Sequence, residues 1–175
     1  ARRQRQMCIR DSIGRTLLLQ GKKVAVITYT NAATAEIINR LDYSPFFHIS
    51  TIHSFVWEII KHYPKDIKRL YCAYIENDIK DLEQKLGGIK NKASKTYISN
   101  FNKLQSLKER FEKSQKISRF IYSPTGSNSE HNALKHAEVI KISAQMIMDY
   151  KQLQQIIAQT YPILLIDESR DTKKL

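Results

Sequence analysis

The sequence predicts an α/β protein in which a partial parallel sheet is interrupted by an inserted, mainly helical subdomain. Strand-like runs rich in apolar residues lie near both ends of the chain, at 22–30 and 163–166. Segments with helical periodicity follow the first run and precede the last. Between them, residues 65–120 have a helical pattern and carry 14 Lys or Arg against 7 Asp or Glu. Strands that are joined by helices favour parallel pairing, and the basic middle is then an insertion.

The first strand is predicted at 22–30 because Val, Ile and Thr dominate this run. Gly21 precedes it and is expected to end a short helix. Thr30 or Asn31 can cap the next helix, which is predicted from about Ala32 to Leu41.

A short second strand or turn is predicted at 48–51, where the sequence is His-Ile-Ser-Thr. From Ile52 onward, apolar residues recur at i, i+3, i+4, i+7 and i+8. This spacing predicts an amphipathic helix, and Pro64 is expected to lie near its end.

The rest of the chain divides at a loop rich in Ser, Pro and Gly at 123–129. Helices are expected before the loop. After it, one helix is expected from about Asn132 to Met148 and another before Pro162. The last strand follows and is expected to be buried. The predicted organisation has a first part of the sheet domain, a basic helical insertion and a return to the sheet domain. These segments are 13–64, 65–128 and 129–175.

Composition favours a polyanionic partner. The formal net charge is +12, with 29 Lys or Arg and 17 Asp or Glu. Nucleic acid is the first expectation for such a charge and an anionic membrane the second. No apolar run reaches the roughly 18 residues that a membrane span needs, so no membrane association is expected. Two cysteines without metal-type spacing predict reduced thiols and a cytoplasmic protein.

Residues 1–12, ARRQRQMCIRDS, are dense in arginine and have no clear period. They resemble the translation of a sequencing-adapter remnant, and we therefore predict that they are foreign to the fold. A disordered basic arm is the alternative interpretation.

Two adjacent carboxylates, Asp167 and Glu168, directly follow the last apolar run. Ligands of open parallel sheets bind beyond the carboxyl ends of the strands, which is where this pair is expected. Adjacent carboxylates at the end of a strand repel each other unless a cation or hydrogen-bond donors compensate, and Mg²⁺ is the usual cation where phosphate is handled. The alternative is a solvent-exposed turn that binds no ligand. A metal-dependent nuclease site is a weaker alternative, because the sequence shows no further cluster of acidic or His ligands.

Three segments together resemble the UvrD/Rep family of superfamily 1 helicases. ITYTNAATAEI at 27–37 resembles motif Ia, ISTIHSF at 49–55 resembles the next motif, and LLIDESRDT at 164–172 resembles the Walker B segment. Their order and spacing also match, since a helical insertion separates the third segment from the first two. The resemblance covers about residues 17–175.

This resemblance implies a RecA-like P-loop NTPase motor domain that uses ATP and Mg²⁺ to move along single-stranded DNA and to unwind forked DNA. In that family pattern Asp167 would hold Mg²⁺, and Glu168 would activate the water that attacks the γ-phosphate. Arg170 stands where the family has a Gln that senses the phosphate. A 3′-to-5′ polarity and a role in DNA repair or phage defence follow by analogy only.

The resemblance also implies two groups of DNA contacts. The first lies after the first strand, at Thr28, Tyr29, Thr30 and Asn31; the second comprises Thr51, His53 and Ser54. Hydroxyl, amide and backbone N–H groups suit contacts with sugar and phosphate. Alternatives stay open, because Thr30 and Asn31 also suit helix capping, Tyr29 also suits the core, and a lone His is more often structural.

The sequence departs from the family in three ways. It contains no G-x-x-x-x-G-K-[ST] loop. Gly14-Arg15-Thr16 faintly resembles the end of such a loop, but a full helix and a connection normally follow the loop before the next strand. Only 7 residues separate Thr16 from Val24, which is too few. Arg170 replaces the family Gln, and the later helicase motifs are absent. We therefore expect a helicase fragment that is itself inactive. The alternative is a non-catalytic module that binds single-stranded nucleic acid.

Overall fold

A computed structural model describes residues 16–17, 19–89, 91–123, 130 and 132–167 of the chain. The described residues form two units. The first contains the residues up to Ile59 together with those from Gln145 onward, and the second runs from Ile60 to Ala144. The two units are described separately below.

The first unit contains a sheet of three parallel strands, β1 (Val24–Thr28), β2 (Phe47–Thr51) and β3 (Ile163–Ile166). The strand order is β2-β1-β3, so β1 lies in the centre. All five residues of β1 are buried, as expected for a central strand rich in β-branched residues. The predicted α/β class with a parallel sheet is confirmed.

Six helices have both of their ends within the described residues. They are α1 (Asn31–Arg40), α2 (Ile52–Ile60), α3 (Pro64–Gly87), α4 (Lys95–Lys116), α5 (His136–Asp149) and α6 (Lys151–Thr160). None of the helices in the described ranges is long and apolar enough to cross a membrane.

One face of the sheet carries the hydrophobic core of the first unit. Ala25 and Ile27 of β1 pack there with Phe55 of α2. The partly buried residues around them come from α2 and from the segment that precedes β3: Ile52, Val56, Ile59 and Tyr161. The predicted amphipathic spacing from Ile52 therefore has its apolar face on the sheet.

Gly21 ends a helical segment as the sequence predicts. Its φ is 69°, in the left-handed region that favours glycine. The N–H of Lys22 donates to the carbonyl of Leu17 at 2.8 Å, which is the closing hydrogen bond of a Schellman motif. The chain then turns directly into β1.

β3 corrects one expectation. Its apolar run predicts a buried strand, but Ile163, Leu164, Leu165 and Ile166 are 40%, 50%, 50% and 55% exposed. Among the described residues β3 pairs only with β1, so it is an edge strand. An apolar sequence predicts a strand, but neighbours on its far side and on both faces decide whether the strand is buried.

The second unit is built on α3 and α4, which pack antiparallel. The Nζ of Lys68 donates to the carbonyl of Gln115 at 2.7 Å near one end of the pair. The Nζ of Lys108 lies 2.7 Å from an Oε of Glu83 farther along. Pro64 is the first residue of α3 rather than the end of α2, because proline is well tolerated at the first position of a helix.

The start of α5 also differs from the prediction. The helix begins at His136, not near Asn132. The preceding residues bridge to Ile121, whose N–H donates to the carbonyl of Asn132 at 3.0 Å and whose carbonyl accepts from Leu134 at 2.9 Å. These extended pairings take the backbone groups that a longer helix would have used.

Candidate functional site

The carboxyl ends of the three strands meet at one edge of the sheet. Thr28 at the end of β1 is in register with Thr51 at the end of β2. On the other side Ile27 is in register with Ile166, and the N–H of Asp167 donates to the carbonyl of Ile27 at 2.9 Å. Three positions that the sequence singles out therefore lie side by side, in the order Thr51, Thr28, Asp167.

The turn from β1 to α1 is held by a cluster of threonine hydroxyl groups. Thr28 is only 2% exposed, and its Oγ1 lies 2.7 Å from the Oγ1 of Thr34. The Thr28 hydroxyl also donates to the carbonyl of Thr30 at 3.1 Å. In this structure the side chain of Thr28 orders the turn and does not face solvent.

Thr30 is the N-cap of α1. Its backbone is extended, with φ −121° and ψ 151°, and its Oγ1 accepts from the N–H of Ala33 at 3.2 Å. Asn31 is then the first residue of the helix and is exposed. Between Thr28 and Thr30, Tyr29 is 40% exposed, so it does not belong to the core.

The turn from β2 to α2 repeats this arrangement without an intervening residue. Thr51 ends β2 and also caps α2, because its Oγ1 accepts from the N–H of Ser54 at 3.3 Å. The hydroxyl groups of Thr51 and Ser54 lie 2.9 Å apart. His53, in the first turn of α2, is half-buried. The Thr-x-x-Ser spacing is thus explained by capping of the helix.

Asp167 supplies the carboxylate at this edge. It is exposed and follows β3 directly. Glu168 and Arg170 lie outside the described residues, as do the segments 1–12 and 124–129. No group of three His, Cys, Asp or Glu that could hold a metal occurs among the described residues. A solvent-facing carboxylate still fits Mg²⁺, which prefers oxygen ligands, keeps several waters and takes few protein groups when phosphate supplies the rest.

Two polar residues of β2 are a feature that sequence reasoning missed. The Nε2 of His48 and the Oγ of Ser50 are buried and have no hydrogen-bond partner in the described part of the chain. Both face the side of the sheet that carries Phe55 and Tyr161, whose rings lie 5.8 and 5.5 Å from that of His48. Their alternation with apolar residues in β2 is the only sequence signal for this placement.

The electrostatics around His48 follow from its burial. Desolvation lowers the pKa of His48 from its ordinary value of 6.5, and the positive charge of Lys23 lowers this pKa further. Glu58 acts in the opposite direction but more weakly. Burial also raises the pKa of the neighbouring Tyr161 hydroxyl. The imidazole is therefore held in its neutral form beside aromatic rings.

Thr34 is a second residue that the sequence analysis did not single out. Its hydroxyl donates to the carbonyl of Thr30 at 3.0 Å in addition to its contact with Thr28. The spacing of Thr30 and Thr34, one helical turn apart, could have predicted this contact once Thr30 is taken as the cap.

Comparisons with known proteins agree with the sequence resemblance. The family described as "UvrD/REP helicase N-terminal domain" matches residues 15–175. Among curated proteins, the chain is similar to "Gabija protein GajB" of Bacillus cereus (strain HuB5-5), with 25% identity over 219 aligned positions. That alignment covers 90% of this chain and 32% of the relative, so the chain spans about a third of the relative's length. No solved structure matches.

Proposed function

Because this chain belongs to the UvrD/REP helicase N-terminal domain family, we propose that it forms part of the motor of an ATP-dependent DNA helicase. Such a motor couples ATP hydrolysis to movement along single-stranded DNA and to unwinding of a duplex. In this proposal residues 13–64 and 129–175 belong to a RecA-like motor domain, whereas the compact helical unit of the structure runs from Ile60 to Ala144 and includes the start of α5. Residues 65–128 form the subdomain inserted in the motor domain.

One observation carries the proposal, namely the alignment of Thr51, Thr28 and Asp167 at the carboxyl edge of a parallel sheet. Ligands of such sheets bind at this edge, because the strand ends and the loops that follow them converge there. The sheet thereby brings together segments that lie more than a hundred residues apart in the sequence. They are the two motif-like segments at 27–37 and 49–55 and the start of the acidic segment at 164–172.

The acidic segment would handle the nucleotide. Asp167 would hold the Mg²⁺ that accompanies ATP, and Glu168 would orient and deprotonate the attacking water. Hydrolysis of the bound triphosphate would supply the free energy for movement along DNA. Arg170 would contact phosphate as a permanent positive charge, in place of the Gln of the family pattern.

The two capped turns would contact the DNA strand. Tyr29 and Asn31 are exposed beside the buried Thr28, so a ring and an amide are available at this turn. At the second turn His53 and Ser54 lie in the first turn of α2, where backbone N–H groups also favour phosphate. Thr28, Thr30 and Thr51 would support these contacts by ordering the turns.

We expect the 175-residue chain to have negligible ATPase activity on its own, because its sequence contains no G-x-x-x-x-G-K-[ST] loop to cradle the phosphates. The test is an ATPase assay in the presence of Mg²⁺, with and without single-stranded DNA. Turnover clearly above background, and stimulated by DNA, would refute this part of the proposal.

DNA contact at the sheet edge can be tested with two matched variants. Tyr29→Asn removes the exposed ring at the proposed contact, whereas Tyr43→Asn removes an exposed ring that precedes β2 and therefore lies toward the opposite edge. Asn is chosen because Tyr43 has a φ of 52°, which Asn tolerates. If Tyr29 stacks on a base, its replacement weakens binding of a fluorescein-labelled oligothymidylate by about 5- to 100-fold, as measured by anisotropy. Equal affinities of the two variants would contradict the assignment of Tyr29.

A second candidate function is a non-catalytic module that binds single-stranded nucleic acid. The presence of Arg170, where the family pattern has Gln, favours it. The genomic reading frame separates the two candidates. A phosphate loop encoded about 25 residues before Thr28 supports the motor, and an intact frame without such a loop supports the binding module.

A further inference from the structure

A cleft opens between three helices of the second unit, and side chains of α3, α4 and α5 line it. Its volume is about 220 Å³. Its apolar lining includes Ile75, Ile142 and Leu107, of which the first two are 4% and 0% exposed. Drug-sized ligands occupy clefts of about 300–1,000 Å³, so this cleft suits a smaller molecule.

Two tyrosine rings in this cleft each face a cation of the same chain. The Nζ of Lys141 lies 4.0 Å from the centroid of the Tyr74 ring. The Cζ of Arg110 lies 5.4 Å from the centroid of the Tyr71 ring. The face of an aromatic ring attracts a cation because its π electrons make that face negative. The cleft therefore already holds positively charged groups, which the protein itself supplies.

The two cations are held differently. Arg110 pairs with both carboxylate oxygens of Glu138, at 2.8 and 3.1 Å, and its side chain is only 28% exposed. Lys141 is exposed and has no ion-pair partner in the part of the chain that the structure describes. A cation over a ring at an exposed site is weakly held, since water solvates the ammonium group almost as well. Lys141 is therefore the cation that a ligand can displace.

Asp78 supplies a carboxylate that no other described residue uses. It is exposed, it lies one turn after Tyr74 on α3, and it lines the same cleft. The charged lining residues other than Lys141 are Asp78, Glu138 and Arg110, so their net charge is −1. A ligand with one positive charge would balance this lining once the Lys141 ammonium has moved into solvent.

We propose that this cleft binds a small primary ammonium ion with an apolar body, which replaces the Nζ of Lys141 over the ring of Tyr74. We call the site the ammonium cleft. The ammonium group of the ligand faces Tyr74 and Asp78, and the apolar body covers Ile75 and Ile142. Lys141 leaves this apolar space unfilled, whereas a ligand fills it and removes its own apolar surface from water.

The chemistry of the lining selects against other ligands of the same size. An anion would meet the carboxylates of Asp78 and Glu138, and a neutral molecule would leave Asp78 without a cation. The ammonium cleft uses neither nucleotide nor DNA and none of the residues at the sheet edge. Its failure and the failure of the proposed motor function can therefore be told apart.

The test uses phenethylammonium as the probe, with two molecules of similar shape as controls. Phenylethanol is neutral, and phenylpropanoate is an anion. Each is titrated into the full chain, and the amide NMR signals of α3 and α5 report its dissociation constant. Phenethylammonium should bind about 5-fold or more tightly than either control, because only it places a cation over the ring and beside the carboxylate.

Two substitutions should change the affinity for phenethylammonium in opposite directions. Lys141→Gln removes the competing ammonium group and should strengthen binding by about 2- to 10-fold. Tyr74→Leu removes the ring and should weaken binding by about 2- to 10-fold, whereas Tyr74→Phe keeps the ring and should bind as the wild type does. Lys113→Gln makes the same change of charge at an exposed position outside the cleft and should have no effect.

The carboxylate has its own matched pair of variants. Asp78→Asn should weaken phenethylammonium binding by about 2- to 10-fold. Asp81→Asn removes an exposed carboxylate of the same helix that does not line the cleft, and it should keep wild-type affinity. Circular dichroism checks that each variant remains helical. If Tyr74→Leu does not fold, Lys141→Gln and the aspartate pair still decide the question.

Several results would overturn the proposal. They are equal affinities for the three probes, unchanged or weaker binding of phenethylammonium to Lys141→Gln, and equal affinities of the Asp78→Asn and Asp81→Asn variants. Amide shifts confined to residues away from the cleft would also overturn it, since the probe would then bind elsewhere.

Discussion

The N–H of Asp167 donates a 2.9 Å hydrogen bond to the carbonyl of Ile27, which continues the β1–β3 ladder one residue beyond Ile166. This bond places the backbone of Asp167 beside that of Thr28, opposite to Thr51. Neighbouring strands are about 4.8 Å apart, so the three backbone positions span about 10 Å along the sheet edge. Residues from distant parts of the sequence thus share one edge of the sheet, on either side of the central strand.

The buried hydroxyl of Thr28 predicts a defined loss of stability. Thr28→Val keeps the shape of the side chain but removes its hydrogen bonds to Thr34 and Thr30. In the variant the Thr34 hydroxyl can donate its one proton to the carbonyl of Thr30, so no partner is left unsatisfied and the free energy of unfolding should fall by only about 1 kcal/mol. Urea denaturation measures the change. Thr28→Ser retains the hydroxyl and is the control; a larger loss for Thr28→Ser than for Thr28→Val would contradict this explanation.

Thr51 predicts a second, independent loss. Thr51→Val keeps the β-branched side chain that suits the end of β2 but removes the oxygen that caps α2. Loss of a threonine cap costs about 1 kcal/mol, here measured as a lower urea midpoint in the absence of DNA. Thr51→Ser should retain most of the wild-type stability. The two threonines lie in different turns, so their effects should be nearly additive unless the shared edge couples them.

Much of this edge could be predicted from sequence, because parallel strands have their carboxyl ends on the same side. The β-branched run and the capping residues locate β1 and α1 to within about two residues. Once the strands are taken as parallel, Thr28, Thr51 and Asp167 are expected at one edge, and the structure has them there. What the side chains do was less predictable, since capping and ligand contact use the same residue types.

Other features depend on tertiary neighbours that no local pattern contains. The apolar run of β3 predicts a strand correctly, but its exposure follows from its position at the edge of the described sheet. Pro64 is compatible with either end of a helix, and only the structure shows that it begins α3. His48 looks unremarkable in sequence, because its burial depends on Phe55 and Tyr161.

In the helical unit, Arg110 and Glu138 predict a stabilising pair. Nη1 and Nη2 of Arg110 lie 2.8 and 3.1 Å from the two carboxylate oxygens of Glu138, and both side chains are about a quarter exposed. Glu138 also accepts from the N–H of Lys135 at 2.8 Å, which caps the start of α5. Arg110 lies over the ring of Tyr71, whose pKa burial raises to about 12.

Glu138→Gln should therefore lower the free energy of unfolding by about 1–2 kcal/mol, less than for a fully buried pair because solvent screens part of the attraction. Glu109→Gln, an exposed neighbour of Arg110 on α4, is the matched control and should change stability by less than about 0.5 kcal/mol. The loss for Glu138→Gln should shrink at high salt, which a urea titration with added NaCl measures. Equal effects of the two substitutions would show that the pair contributes nothing specific.

The lowered pKa of His48 predicts how stability depends on pH. Burial is the main cause, and Lys23 adds to it, so the folded chain protonates His48 at lower pH than the unfolded chain does. Below the ordinary pKa of 6.5 the unfolded chain therefore binds more protons, and the stability contributed by neutral His48 is lost as pH falls from about 6.5 toward the folded pKa. Above that window the contribution is complete.

His48→Phe removes both the titration and the buried Nε2 that has no partner among the described residues. The variant should be equally stable or about 1 kcal/mol more stable at pH 7.5, because a phenyl ring packs against Phe55 and Tyr161 without an unsatisfied atom. Between pH 7.5 and 5.5 its free energy of unfolding should fall less than that of the wild-type chain. His62→Gln, which removes an exposed imidazole, should keep the wild-type slope. A variant slope equal to the wild-type slope would show that His48 is protonated equally in the folded and unfolded chains, contrary to its burial.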